Sequence, residues 1–361
     1  MKYIYKIIHS PIKISIRCIS LNHVPINDKE DQQELQRIPK IVSFHKIVHF
    51  NGKIKKFLQD GQIICIFILK IAKIIVSLCL TNEIYLTMKK KKRTVLFSFF
   101  LFLMSAILAL YFIGIKIECY TLPHGAKIRI FQVGEGKKNH GTIIICPGGS
   151  YSSLTKWREG YLWIPFFLKQ DYTVAILEYR MPNKNYNIPI TDAKEALTHL
   201  RHHAQEYGMP NYKIGMMGFS AGGHLVSTLA VAEKQSDRPD FAILLYPVIS
   251  MRKDLTHKWS HDNLLGENCP KYLEEKFSSY LHITEETPPV YLAVSKDDSM
   301  VNPNNTFIFY DKMIKMHRPT CLKVYKSGGH GWGASPSFRW HKEMEEDLRL
   351  WLAEEITKRN D

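Results

Sequence analysis

The sequence predicts an α/β fold, a mostly parallel central sheet with helices on both faces, preceded by a transmembrane signal-anchor helix. Three observations carry this. Beyond about residue 117, short apolar runs alternate with stretches of helical period, as in parallel strands joined by crossover helices. One of those runs ends in Met216-Met217-Gly218-Phe219-Ser220-Ala221-Gly222-Gly223, a glycine-flanked serine that opens a helix of small residues. Finally, residues 94–115 form 22 consecutive residues without a charge, directly behind a basic cluster.

The first part of the chain stands apart in composition. The formal net charge is +15, but residues 1–93 hold 18 Lys and Arg against 6 Asp and Glu, leaving 31 against 28 for the rest. A nearly neutral remainder argues against a nucleic-acid partner. Residues 1–87 carry 20 Ile and 11 Lys but one Ala and two Gly, with no sustained period of 2 or 3.6, and read as a low-complexity extension. Met88 opens Met88-Lys89-Lys90-Lys91-Lys92-Arg93, so translation is expected to start there, with 1–87 as upstream sequence. The alternative is a basic extension in which 63–80 lies in the membrane interface, because Lys70 and Lys73 would each cost about 2.5–3.5 kcal/mol at a bilayer centre.

Residues 88–116 combine the basic cluster with the apolar run. At about 1.5 Å per residue the run is long enough to cross a hydrocarbon core of about 30 Å. The positive-inside rule then puts residues 117–361 outside the cytoplasm. A cleaved signal peptide is the competing reading, but the run exceeds the usual apolar length and no A-x-A-like site follows.

From 117 onward the elements follow in order. Runs 127–133 and 142–146 are apolar and β-branched, hence strands; 157–169 has helical spacing; 172–179 is again a strand. In 190–207, Ile190, Ala193, Leu197, Leu200 and Ala204 share one stripe, and Gly208 with Pro210 ends the helix. Run 212–217 is a buried strand, 221–232 the small-residue helix, and 241–248 a strand. The connection 249–286, polar and long, is expected to form a lid or one wall of a cleft. Strand 290–295, helix 304–316, strand 320–326 and helix 338–357 complete the rhythm. Seven scattered cysteines without CxxC spacing point to neither a zinc site nor a disulfide framework, although a Cys269–Cys321 bridge is open to an exported domain. No metal or cofactor is expected.

The serine stretch matches G-x-S-x-G, in which a sharp strand-to-helix turn exposes a nucleophilic hydroxyl. Alone the pattern is weak evidence; its place between strand and helix gives it weight. A serine hydroxyl needs a base, and the base an orienting carboxylate. Strand 290–295 runs into Lys296-Asp297-Asp298-Ser299, and strand 320–326 into Ser327-Gly328-Gly329-His330-Gly331-Trp332-Gly333. His330 alone of the sixteen histidines sits in a glycine-rich loop before the last helix, and Asp297 or Asp298 would orient it. Strand 142–146 empties into Pro147-Gly148-Gly149-Ser150-Tyr151, where Gly148 or Gly149 would give one oxyanion N–H and Ala221 the other. Tyr151 and Trp332 are candidate walls of an acyl pocket or simply packing.

With these stretches in hand, the chain resembles the esterase/lipase-like α/β-hydrolases that include bacterial acetylesterases and acetyl-xylan esterases, the BD-FAE-like family. ICPGGSYSSL, EYRMP, KIGMMGFSAGGHL, RPDFAILLYPVISM, NLLGE, TPPVYLAVSKDDSMVNP and KSGGHGWG carry the likeness over about 120–355. It implies an α/β-hydrolase fold and a Ser220–Asp298–His330 triad, because the family's D-D-x-x-V-P loop uses its second aspartate. Asn302 before Pro303, Ser150 for a third glycine and Arg158 for a common histidine depart from the family pattern. The implied substrate is a small-molecule or oligosaccharide ester, with acetyl on plant-glycan sugar foremost. A peptidase or lipase on the same fold, or an inactive binding protein, are the alternatives.

Overall fold

The computed structural model describes residues 116–134, 138–208 and 213–357. The extension 1–87, the basic cluster and the apolar run 94–115 lie outside the described residues. Among the described residues no helix is long and apolar enough to cross a membrane.

Eight strands form one sheet: β1 (Ile117–Thr121), β2 (Lys127–Phe131), β3 (Thr142–Cys146), β4 (Thr173–Glu178), β5 (Ile214–Phe219), β6 (Phe241–Leu245), β7 (Val290–Ser295) and β8 (Thr320–Tyr325). Their spatial order is β1-β2-β4-β3-β5-β6-β7-β8. β1 pairs with β2, and β2 with β4, antiparallel; every other pairing is parallel. β3, β5, β6 and β7 are buried along their whole length, as their continuous apolar runs require when both faces are covered.

Among the described residues seven α-helices accompany the sheet: α1 (Ile164–Lys169), α2 (Asn187–His202), α3 (Ala221–Ala230), α4 (Lys258–Leu265), α5 (Lys271–Lys276), α6 (Asn304–Lys315) and α7 (His341–Trp351). Alternate side chains of each strand feed two cores. Ile144, Met216 and Leu244 meet Leu197 of α2, Leu225 of α3 and Phe309 of α6. Ile143, Met217 and Ile243 meet Phe167 of α1 with Met344 and Leu348 of α7.

The differences from expectation are local and have causes. β1 joins the edge of the sheet through a tight turn in which Leu122 N–H donates to Ala126 O and Gly125 N–H to Leu122 O. The helix expected at 157–169 starts at Ile164, with Pro165 in its first turn, where a missing N–H costs nothing. α2 begins three residues early for the same reason, Pro189 lying in its first turn. β6 stops at Leu245 because Tyr246 takes φ 41°, which no strand accommodates. The last helix starts at His341 and widens into a π-turn over Leu352–Thr357. Cys269 packs on the α2/α3 side and Cys321 on the α1/α7 side; with the sheet between them no bridge forms, and neither is in a disulfide.

β3 lies between β4 and β5, so the chain leaves it in both directions. The carboxyl ends of β3 and β5 therefore flank a topological switch point, where open α/β sheets bind ligands. There α3 approaches so closely that a Cβ on Gly222 would stand 2.1 Å from Cys146 O. Gly222→Ala is expected to cost about 3 kcal/mol, the upper end for overpacking, read as a lower urea midpoint at unchanged slope; an unchanged midpoint contradicts the packing.

Candidate active site

Ser220 stands alone between the end of β5 and the first residue of α3. Its backbone sits at φ 51°, ψ −119°, a conformation whose strain is on the order of 1–3 kcal/mol. Three neighbours hold it there. Ser220 N–H donates to Leu245 O (3.1 Å), while Ser220 O accepts from His224 N–H (3.1 Å) and Val248 N–H (3.0 Å).

The glycine-rich loop after β8 brings His330 over this turn. His330 Nε2 lies 2.9 Å from Ser220 Oγ, and Nδ1 lies 2.7 Å from Asp298 Oδ2. A carboxylate only accepts, so Nδ1 carries the hydrogen and Nε2 is left to accept the serine proton. The second oxygen, Oδ1 of Asp298, accepts from Met300 N–H (3.0 Å) and Val301 N–H (2.9 Å), which fixes the carboxylate plane. Asp298 and Ser220 are both buried.

The two aspartates, of which the family resemblance implies Asp298 as the orienting one, take separate places. Asp297 is exposed, and its carboxylate accepts from Gly329 N–H (2.8 Å) and Gly328 N–H (3.1 Å). The Gly329 bond above all holds its carboxyl below the usual range. Asp297 thus fastens the backbone of the histidine loop, while Asp298 meets the imidazole.

The loop after β3 brings one correction. Gly148 does not offer its N–H to a substrate, because that group donates to Glu159 Oε2 at 2.8 Å. Gly149 and Ala221 remain: neither donates its N–H to any group among the described residues. Gly149 has φ 130°, and a Cβ there would lie 2.2 Å from Ser153 O, so only glycine fits. Ser150 and Tyr151 follow with φ 56° and 58°. Three successive left-handed residues curl the chain tightly beside Ser220.

Tyr151 and Trp332 are packing, not free walls of a pocket. Tyr151 is 2% exposed and Trp332 4%. Tyr151 O–H meets His224 Nδ1 at 2.9 Å, and His224 Nε2 meets Phe277 O at 2.7 Å. The carbonyl can only accept, so Nε2 bears the hydrogen and Nδ1 accepts from tyrosine. Trp332 stacks on Phe338 at 4.5 Å and donates Nε1–H to Ser295 Oγ at 3.1 Å.

Burial lowers His224 from 6.5 to about 4. A depressed histidine favours the folded state above its unfolded pKa and loses that contribution as pH falls toward the folded one. Between pH 7 and 5 this amounts to about 2 kcal/mol. His224→Gln should lack that part of the acid loss in urea unfolding; an unchanged pH slope counts against it.

Sequence reasoning missed Glu159. Its carboxyl is buried, and burial raises its pKa against the hydrogen bonds that lower it. Oε1 accepts from Tyr246 O–H at 2.9 Å, and Tyr246 oxygen accepts from Gly333 N–H at 2.9 Å. The Tyr246 ring also lies edge-on to His330, with centroids 4.8 Å apart. One carboxyl thereby links the loop after β3, the end of β6 and the histidine loop. The helical spacing read over 157–169 does not mark it, because Glu159 lies in turns ahead of α1.

The connection 249–286 holds α4 and α5. Asn263 of α4 donates Nδ2–H to Ser150 O at 2.9 Å, and Lys184 N–H donates to Asn263 O. His257, just before α4, is lowered by burial first and then by His330. Trp259 of α4 and Trp157 beyond the loop after β3 are each 68% exposed. Arg158 is exposed, and its carbonyl accepts Ala334 N–H. A cavity of about 650 Å³ lined by Arg201, Arg238 and Arg318 opens at the amino ends of β6–β8, the opposite edge of the sheet from Ser220.

The model of the BD-FAE family matches residues 128–313, a span that holds Ser220 and Asp298 and stops short of His330. The chain belongs to the BD-FAE family. Among curated relatives, an acetylxylan esterase of Xylanibacter ruminicola is 34% identical over 214 residues, 58% of this chain and 45% of that protein. This chain spans less than half the length of the curated relatives it matches. A solved acetyl ester-xyloside bifunctional hydrolase from Caldicellulosiruptor lactoaceticus is 28% identical, with TM-score 0.59 over 64% of this chain and 88% of that one. MGS-M1, an α/β hydrolase from a Medee basin deep-sea metagenome, is 23% identical with TM-score 0.52, covering 66% and 94%, and shows the fold alone. The BD-FAE chain has the α/β-hydrolase fold.

Proposed function

We propose that this protein is a serine carboxylic-ester hydrolase that removes small acyl groups, acetyl foremost, from carbohydrate or similar esters. The observation that carries the reading is the Ser220 Oγ–His330 Nε2 contact of 2.9 Å, continued by His330 Nδ1–Asp298 Oδ2 at 2.7 Å, beside two N–H groups without acceptors among the described residues. The names of the acetylxylan esterase and the acetyl ester-xyloside hydrolase above support the acyl and sugar classes.

In this mechanism Ser220 Oγ attacks the acyl carbon while His330 Nε2 takes its proton. Asp298 steadies the imidazolium through Nδ1–H. The carbonyl oxygen, now negative, lies between the N–H groups of Gly149 and Ala221. Collapse breaks the ester bond, and Nε2–H protonates the departing alkoxide. Water then attacks the acyl-serine by the same route, releasing the acid and restoring Ser220. Glu159 and Asp297 position the loops without touching substrate, and α4 walls the cleft through Asn263.

The full-length chain is expected to hydrolyse p-nitrophenyl acetate with kcat/KM about 10-fold or more above that for the octanoate, the discrimination a tight acyl pocket gives. It is also expected to release acetate from acetylated xylo-oligosaccharides. Absence of turnover on every ester overturns the reading; a preference for octanoate overturns its acyl class. The catalytic part is proposed to work outside the cytoplasm, held by 94–115. Protease added to intact cells should remove residues 117–361, and their protection would contradict this.

A further inference from the structure

Three donor side chains converge in the connection between β6 and β7. His261 lies on α4, Cys269 in the turn that follows, and Glu274 on α5. One donor atom from each falls within 4.8 Å of the others. Cys269 Sγ is 3.4 Å from His261 Nε2, and Glu274 Oε1 is 3.5 Å from that same nitrogen. Tetrahedral zinc, with Zn–S of about 2.3 Å and Zn–N or Zn–O of about 2.0–2.2 Å, sets S and N about 3.6 Å apart and N and O about 3.4 Å apart. The two separations lie within about 0.2 Å of those edges.

The surroundings are those of a metal ligand set. His261 Nδ1 faces Asp262 Oδ1 at 2.8 Å, which places the ring hydrogen on Nδ1 and turns the Nε2 lone pair toward Cys269 and Glu274. A histidine held from behind by a carboxylate is the usual support of a bound metal. The His261 and Glu274 side chains are 2% and 10% exposed, while Cys269 is half-buried, so two of the three donors are withdrawn from water. Lys253, whose side chain is 60% exposed, approaches Glu274 Oε1 at 3.7 Å, a loose pairing that a bound ion would replace. Thiolate and imidazole favour zinc over magnesium or calcium.

We propose that His261 Nε2, Cys269 Sγ and Glu274 hold one zinc-class divalent ion, with the fourth position open to water. Binding forms the metal–sulfur bond and releases the Cys269 thiol proton to solvent; thiolate and carboxylate together balance the ion's charge. The ion ties α4 to the turn and to α5. Because Asn263 of α4 holds Ser150 O, it also steadies one wall of the Ser220 cleft. In sequence the ligands stand at 261, 269 and 274, a spacing that matches no paired-cysteine or paired-histidine motif.

The test uses the full chain, stripped with a chelator and titrated with Zn²⁺ and with Co²⁺. One ion per chain is expected, and cobalt should give tetrahedral visible bands with a thiolate-to-metal charge-transfer band in the near ultraviolet. Cys269→Ser should remove the charge-transfer band, and Asp262→Asn should weaken zinc binding about 10–100-fold. Far-ultraviolet circular dichroism reports folding of each variant; should one not fold, protection of Cys269 from alkylation by Zn²⁺ in the unaltered chain decides. No saturable ion, a cobalt spectrum without the sulfur band, a band that survives Cys269→Ser, or alkylation of Cys269 indifferent to zinc overturns the proposal.

Discussion

Ser220→Ala is expected to lower kcat by about 10⁶, the loss that follows removal of a nucleophile acting as one unit with its base. His330→Ala should cost as much, and the double variant no more than either. The reason is geometric. Once Oγ is gone, an unprotonated Nε2 has nothing to activate, and what survives is the contribution of the N–H groups of Gly149 and Ala221. The alanine keeps the Ser220 Cβ, so the strained turn at φ 51° and its three backbone bonds persist. Steady-state kinetics on p-nitrophenyl acetate reads the effect. Turnover of Ser220→Ala within about ten-fold of the unaltered chain, too little for loss of a nucleophile, would place the chemistry elsewhere.

The second large effect separates neighbours. Asp298→Asn is expected to lower kcat by about 10⁴, because an amide facing Nδ1 favours the wrong imidazole tautomer. Asp297→Asn should cost about five-fold, the worth of roughly one exposed backbone bond of about 1 kcal/mol. The contrast follows from where each carboxylate points: Asp298 to His330 Nδ1 at 2.7 Å, Asp297 to the N–H groups of Gly328 and Gly329. Equal losses, or the larger at Asp297, would reverse the assignment.

These two residues also mark how far the sequence could be read. Strands with continuous apolar runs announce themselves because both faces are buried, and β3, β5, β6 and β7 were all legible this way. So was the serine between β5 and α3, because its glycines reflect contacts at the floor of the turn: a Cβ on Gly218 would stand 2.4 Å from Gly222 O. Adjacent aspartates cannot be told apart without knowing how the loop turns, since that is decided by backbone bonds to Asp298 Oδ1 from residues beyond it.

Hydrogen-bond allegiance was equally hidden. Gly148 and Gly149 look alike in sequence, yet a carboxylate eleven residues on claims the first N–H and leaves the second. Glu159 itself lies in turns ahead of α1, so nothing distinguishes it from a surface glutamate until Tyr246 and Gly333 are seen to close on it. Tyr151 and Trp332 stand next to functional residues along the chain but point into the core, one to His224 and the other onto Phe338. Proximity in sequence gave their neighbourhood and not their direction. β1 was missed because its residues are half-buried at the sheet edge, where the apolar signal is weakest.

The most direct test of a nucleophilic Ser220 is its covalent labelling. A slowly released phosphonate ester of p-nitrophenol, incubated with the full-length chain, should add one phosphonyl group per molecule, mapped by peptide mass spectrometry to Ser220, at a rate that falls sharply in His330→Ala. An adduct on any other residue, or none while ester turnover continues, would contradict a nucleophilic Ser220 activated by His330 and Asp298.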